Sequence, residues 1–190
     1  MIKNIENRID FWNERHKIKY QGNTYYNENL IKKYSYNSTV LEIGPGEGRQ
    51  FQIAYPCCKE YSIADISPNV LLSELYNKEK VKNKYLIDRY EKFLDKYFEF
   101  IHFWYVLHHI KLEEDIDFFR FIRNCMNKYS ILVFNFSENT KAKFVHNDGV
   151  KTTNRKIGYI KSILEMNNLN IMDLHKMDRN NIIVECKVNA

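Results

Sequence analysis

Three glycines at alternate positions, an acid just ahead of them and a second acid further on are the residues here with the plainest chemical use. They begin in Val40-Leu41-Glu42-Ile43-Gly44-Pro45-Gly46-Glu47-Gly48-Arg49. Its first four residues, apolar with one acid, suit a buried parallel strand. Gln50-Phe51-Gln52-Ile53-Ala54 can then continue as a helix. A strand that turns into a helix through glycines offers backbone N–H groups and the positive end of the helix dipole to a polar ligand. A side chain at those positions would hold the ligand off the backbone. The chemistry is that of a nucleotide-type site, against the alternative of a tight turn with no ligand. A dinucleotide fingerprint, G-x-G-x-x-G, needs glycine at position 49, where Arg49 stands, and no Gly-Lys-Ser/Thr of a P-loop is present.

The second acid closes a candidate strand, Glu60-Tyr61-Ser62-Ile63-Ala64-Asp65. Asp65 lies 22 positions beyond Ile43, close to the spacing for a carboxylate on ribose hydroxyls. Ser67-Pro68 opens a helix behind it, with serine as N-cap and proline at the first helical position. Further on, the apolar run from Phe98 to Leu107 reads as a strand buried on both faces and ends in His108-His109-Ile110. The C-terminal ends of parallel strands carry the ligand crevice, so this pair lies near any chemistry. The plainer alternative makes one histidine a helix cap and the other a packing residue. His102, in mid-strand, reads as a core histidine.

Taken together, the E-x-G-x-G-x-G run of Glu42 to Gly48, the run Ala64-Asp65-Ile66-Ser67-Pro68, and Glu99 with Leu107-His108-His109 resemble the motifs of class I S-adenosylmethionine-dependent methyltransferases. The resemblance covers residues 38–188. It implies an α/β fold: a Rossmann-like, doubly wound seven-stranded sheet, mostly parallel with an antiparallel C-terminal strand, and helices on both faces. It further implies S-adenosylmethionine as cofactor and S-adenosylhomocysteine as product. Gly44, Pro45, Gly46, Gly48 and Glu42 would seat the methionine half, the acid through its amino group. Asp65 would hold the ribose, Ile66 would lie against adenine and Asp88 would meet the adenine amino group. Phe103 and Trp104 would line the site near the sulfonium, with a cation–π contribution. For a hydroxyl acceptor a base is useful, and His109 or His108 has a suitable ordinary pKa.

Absences narrow the acceptor. An Asp/Asn-Pro-Pro-Tyr motif cannot be present, because the prolines are Pro45, Pro56 and Pro68. Pro56-Cys57 has the letters of a cytosine C5 nucleophile but precedes the second strand. No two-glutamate hairpin of arginine methyltransferases is visible. A small-molecule acceptor remains, most simply a hydroxyl. The Phe11-Trp12-Asn13-Glu14-Arg15 stretch is loosely similar to the opening helix of some sugar-tailoring members. An RNA methyltransferase and a non-catalytic protein that keeps the fold are the competing readings.

The elements that must position these residues follow from periodicity. Ile5, Ile9, Trp12 and His16 make one helical stripe, and Asn23-Thr24 can cap a helix carrying Tyr26, Leu30 and Tyr34. Residues 1–37 thus read as a helical addition that packs on the sheet and whose Trp12 and Tyr20 could close over the cofactor; residues 38–190 read as the core of one domain. Lys84 to Asp88 is a short third strand. Leu112, Ile116, Phe119, Ile122 and Met126 stripe a long helix whose acids at 113–117 read as a solvated start. Ile131 to Asn135 is a fifth strand, Ile157 to Met166 the last helix, and residues 170–174 and 182–186 an antiparallel pair. Between them, residues 137–155 form a polar loop whose Lys141, Lys143, Lys151 and Arg155 suit a phosphate- or carboxylate-bearing acceptor.

At 190 residues, with 44% hydrophobic and 28% charged residues, the chain has the composition of a globular domain. A net charge of +5, spread along the chain, favours anionic partners but falls short of a nucleic-acid-binding tail. Cys57, Cys58, Cys125 and Cys186 show no C-x-x-C spacing and read as reduced thiols, not a disulfide frame or a zinc site. No apolar signal core and no bilayer-spanning run appear, so the reading is a cytoplasmic protein without a membrane span.

Overall fold

The computed structural model describes residues 9–10, 13, 27–87, 96–138, 144–145, 151–177 and 180–189, and for residues 144–145 and 151–152 the backbone alone. The chain divides into two compact units, Met1–Arg89 and Tyr90–Ala190.

The first unit is built on three parallel strands, β1 (Thr39–Ile43), β2 (Glu60–Asp65) and β3 (Val81–Leu86), in the order β3-β2-β1. After their first residues β1 and β2 are buried throughout, whereas β3 alternates between half-buried and exposed residues. The register sets Glu42 beside Ile63 and Asp65 beside Leu86, so both acids are carried by buried strands. Helix α1 (Glu28–Ser35) precedes β1 and is capped by Asn27, whose side-chain oxygen accepts from the Leu30 amide at 3.2 Å. The expected cap at Asn23-Thr24 lies outside the described residues. Helix α2 (Arg49–Ala54) leaves the glycine turn, and α3 (Pro68–Leu71) follows β2 with proline in its first turn, as the sequence predicts.

In the second unit β4 (Phe100–Phe103) pairs parallel with β5 (Ile131–Ser137), followed by β9 (Asn181–Val188) and β8 (Leu169–Lys176), both pairings antiparallel. Together the two units supply the seven strands of a Rossmann-like α/β sheet, in agreement with the expected fold. A separate two-residue ladder, β6 (Phe144–Val145) with β7 (Lys151–Thr152), lies within the segment read as a loop. Helices α4 (Asp115–Asn124) and α5 (Ile157–Met166) complete the unit.

Several boundaries differ from the expectation, among them the third strand, which runs Val81–Leu86 and not from Lys84 to Asp88. The apolar run 98–107 is a strand only over Phe100–Phe103, because Tyr105 turns the backbone into the left-handed region at φ 59° and Leu107–His109 form a 3₁₀ turn. The helix expected from Leu112 starts as a 3₁₀ turn and becomes α-helical only at Asp115. Core packing in this unit centres on aromatic rings: Phe103 stacks on Phe134 at 4.9 Å and meets Phe118 edge-on at 5.2 Å. Each such ring, fully buried, contributes roughly 2–3 kcal/mol of hydrophobic free energy.

Candidate active site

The glycine turn is held in an unusual backbone shape. Gly44, Gly46 and Gly48 have φ of 66°, 51° and 74°, a region that residues with a Cβ seldom adopt. Space adds a lesser demand at Gly48, where a Cβ would come within 2.3 Å of Leu75 Cδ2, a side-chain end that would have to shift, and 3.2 Å of the Tyr76 hydroxyl oxygen. The turn is tied down at three points. The Gly44 amide donates to Ala64 O at 2.8 Å, the Gly48 amide to Pro45 O at 2.9 Å, and the Tyr76 hydroxyl to Gly46 O at 2.9 Å. Tyr76 is fully buried, and burial beside Glu42, Asp65 and Glu47 pushes its phenol far up, so it stays a donor.

Both acids are buried, Glu42 with 1% and Asp65 with 5% of its surface exposed. Burial pushes Glu42 up to about 8; a hydrogen bond from the Tyr61 hydroxyl at 2.7 Å works against this, and the charge of Asp65 adds to it. Asp65 is raised by burial to about 6, opposed by hydrogen bonds from the backbone amides of Ser67, Ile66 and Gly46, the first at 2.7 Å. Ile66 and Pro68 are half-buried beside it. Ser67 stands at the N-cap position of α3, but its hydroxyl donates to Asn13 Oδ1 at 2.6 Å instead of capping, which ties the N-terminal stretch to the turn behind Asp65. Glu42 has one hydroxyl donor and Asp65 has backbone amides, but no cation among the described residues acts on either buried carboxyl group. An ammonium group and the hydroxyls of a ribose would add positive charge and further donors, so these residues fit the cofactor that the motif implies.

The second unit carries the histidines. His108 is 9% exposed and stacks on Tyr105 at 5.7 Å; His109 is half-buried, its ring 6.4 Å from that of His108. Their turn is fastened from two sides. Thr153 N donates to His108 O at 2.8 Å, and the Tyr105 amide donates to Asn135 Oδ1 at 2.7 Å. The strongest fastening is Arg155. Its Nε and Nη2 donate to Asp115 Oδ2 and Oδ1 at 2.7 and 2.6 Å, Nη1 donates to Leu107 O, and Nη2 to Ile110 O at 2.9 Å. One guanidinium therefore clasps the backbone on both sides of the histidine pair to the start of α4. The Asp115 carboxyl is driven up by burial and drawn back by this guanidinium.

Several expectations change. Arg155 is 2% exposed and spends its donors inside the protein, so it is no ligand for an acceptor's phosphate. Asp115, read as part of a solvated helix start, is fully buried as its partner. Phe103 has no exposed surface and belongs to the aromatic core, which leaves Trp104 as the aromatic at the strand end. The Nε1 of Trp104 and the Nδ2 of Asn135 are buried without a hydrogen-bond partner among the described residues. His102 is a core residue as expected, lowered by burial to about 3 and hence neutral. Asp88, Lys141, Lys143, Trp12 and Tyr20 lie outside the described residues. Tyr61, Tyr76 and Asn135 went unnoticed in the sequence, and Asp115 was noticed only as a helix-start acid. Their partners stand 19, 30, 30 and 40 positions away, and no local pattern marks such pairs.

Comparison with known proteins agrees with this geometry. No curated protein matches the chain. Among solved structures, the complex titled DhpI-SAM-HEP superposes with a TM-score of 0.74 at 12% identity, covering 96% of this chain and 97% of that one. The 1,6-didemethyltoxoflavin-N1-methyltransferase of Burkholderia thailandensis, bound to its acceptor and S-adenosylhomocysteine, gives 0.71 at 12% identity, over 86% and 76%. Magnesium protoporphyrin IX methyltransferase from Synechocystis gives 0.70 at 14% identity, over 98% and 97%. At such identities these likenesses speak for the fold alone. A family described as "Methyltransferase domain" matches residues 15–166, most of the chain and every described part of the glycine turn, the two acids and the histidine turn. By that match, laid over a sheet and a glycine turn of the expected kind, the chain belongs to the methyltransferase domain family.

Proposed function

We propose that the protein moves a methyl group from S-adenosylmethionine to a hydroxyl of a small anionic acceptor, such as a sugar or glycan precursor, with His109 as general base. The observation that carries the cofactor half is the pair of buried, protonation-prone acids Glu42 and Asp65 beside the Gly44–Gly48 turn. When bound, the cofactor supplies a methyl carbon already activated by a sulfonium, so the protein's work is alignment and exclusion of water. Gly44, Gly46, Gly48 and Glu42 take the methionine end; Asp65 and Ile66 take the nucleoside. Trp104, buried at the end of β4, is the aromatic that this reading assigns to the positive charge.

His109 is the better base of the two because it is half-exposed, whereas His108 is buried against Tyr105. It would accept the proton that the acceptor hydroxyl gives up on methylation, the methyl group coming from the sulfonium of the cofactor held by the glycine turn and the two acids. The solved proteins of like fold include ones named for small-molecule methylation, which favours a small acceptor here. The RNA reading loses Arg155 from its set of phosphate ligands, and family membership speaks against a non-catalytic protein.

The test is transfer of isotope-labelled methyl from S-adenosylmethionine into separate pools of anionic small molecules and RNA. Label is expected in the small-molecule pool and should survive mild alkali, as an ether does and a methyl ester does not. Label in RNA, on nitrogen or in an alkali-labile ester would overturn the acceptor assignment.

A further inference from the structure

The hairpin of β8 and β9 contains a one-residue register shift. Leu169 to Ile171 pair with Val188 to Cys186, but beyond the shift Asp173 faces Glu185 and His175 faces Ile183. Continued without the bulge, the ladder would have set Met172 and Leu174 on the face of Glu185. The bulge sets Asp173 and His175 there, and leaves Met172 46% and Leu174 38% exposed. A bulge that turns polar side chains to one face at the expense of exposed apolar ones is a device that aims those side chains.

What it aims is a set of metal donors. Glu185 is 4% exposed, His175 is half-buried and Asp173 is exposed, so the cluster runs from inside the sheet to its surface. His175 Nε2 contacts Glu185 Oε1 and lies 3.6 Å from Asp173 Oδ2. One donor atom from each of the three residues lies within 4.8 Å of the others. An ion of bond length about 2.0–2.2 Å keeps its ligand atoms roughly 3–4 Å apart, so a small swing of the imidazole away from Glu185 opens a place for it. A His175–Glu185 hydrogen bond needs the bulge but not Asp173, the third donor that the same bulge brings to that face.

We propose that Asp173, His175 and Glu185 bind a divalent transition-metal ion, zinc above all, as a clip on the C-terminal hairpin and apart from methyl transfer. One imidazole nitrogen and two carboxylates suit zinc and its neighbours better than calcium or magnesium, and leave a coordination position for water. Binding releases to solvent any proton that His175 Nε2 carries.

The test is a calorimetric titration of the metal-stripped full chain with zinc chloride, repeated for His175→Ala, Asp173→Asn and, as a control on the other histidine pair, His109→Ala. One ion per chain is expected, with affinity lowered about 100-fold or more by His175→Ala, about tenfold by Asp173→Asn, and unchanged by His109→Ala. His175 is partly exposed, so its alanine variant should fold, and circular dichroism checks this. Substituting cobalt should give a spectrum without thiolate charge transfer. No binding, binding indifferent to His175→Ala, or a thiolate signature would overturn the proposal.

Discussion

Replacing Glu42 by Gln separates what this residue costs the fold from what it gives the site. Glu42 is buried, and its pKa rises from an ordinary 4.5 to about 8. A carboxyl raised in the folded state favours folding fully below its unfolded pKa, and that contribution is lost as pH climbs through the folded value. The window therefore runs from about pH 4.5 to 8, and the whole shift amounts to roughly 5 kcal/mol. Of this, roughly 4 kcal/mol falls between pH 5 and 8.5. Glutamine can still accept from the Tyr61 hydroxyl but cannot ionise, so the variant should hold its stability where the parent declines. Urea unfolding of both proteins from pH 5 to 8.5 reads the effect as a gap that widens in the variant's favour. Cofactor binding should move the other way. Loss of a charge-assisted partner for an ammonium group costs about 1.5–3 kcal/mol, or about 10- to 150-fold in affinity for S-adenosylhomocysteine. At pH 7 the parent carboxyl is about nine-tenths protonated, so binding an ammonium there should release close to one proton, visible as a buffer-dependent heat. Parallel stability curves for the two proteins, or equal affinity, would refute the reasoning.

Three further outcomes follow from the same geometry. Gly48→Ala should destabilise by about 1–2 kcal/mol from left-handed strain and by about 1–3 kcal/mol more from the Leu75 contact. Adding Leu75→Ala should recover only the second part, as thermal melts of the single and double variants would show. Arg155→Met leaves Asp115 buried without its partner and should cost about 3–5 kcal/mol in urea unfolding, whereas a loss below 1 kcal/mol would mean the clasp is idle. His109→Ala should lower turnover on the identified acceptor about 100- to 10,000-fold with S-adenosylhomocysteine affinity unchanged; full turnover would remove it as the base.

How much of this was written in the sequence depends on range. The glycine turn, the acid closing β2 and the Ser-Pro start of α3 were legible because each is a local pattern with a local cause: positive φ, a strand end, a proline in the first helical turn. The doubly wound, seven-stranded sheet was legible through the family resemblance that these motifs carry. The Arg155–Asp115 clasp was not legible, since a lone arginine in a polar loop looks the same whether it faces solvent or fills a buried slot 40 positions away. For the same reason the loop's charge was overcounted as acceptor-binding. The early end of β4 was hidden too, because Trp104 and Tyr105 continue the apolar pattern while the backbone, anchored by Asn135, has already turned. The one-residue bulge in β8 is invisible in composition; only pairing with β9 reveals it.

The most direct measurement is calorimetry of the purified protein with S-adenosylhomocysteine, alongside Asp65→Ala. Asp65 stands at the exit of β2 with backbone amides, Gly46 among them, already turned to its carboxylate. The glycine turn and this acid are predicted to take up one molecule per chain, and the variant to bind at least tenfold more weakly, the loss of one charge-assisted hydrogen-bond partner being about 1.5–3 kcal/mol. Absence of binding heat in the folded parent, or a variant that binds as well as the parent, would contradict the account.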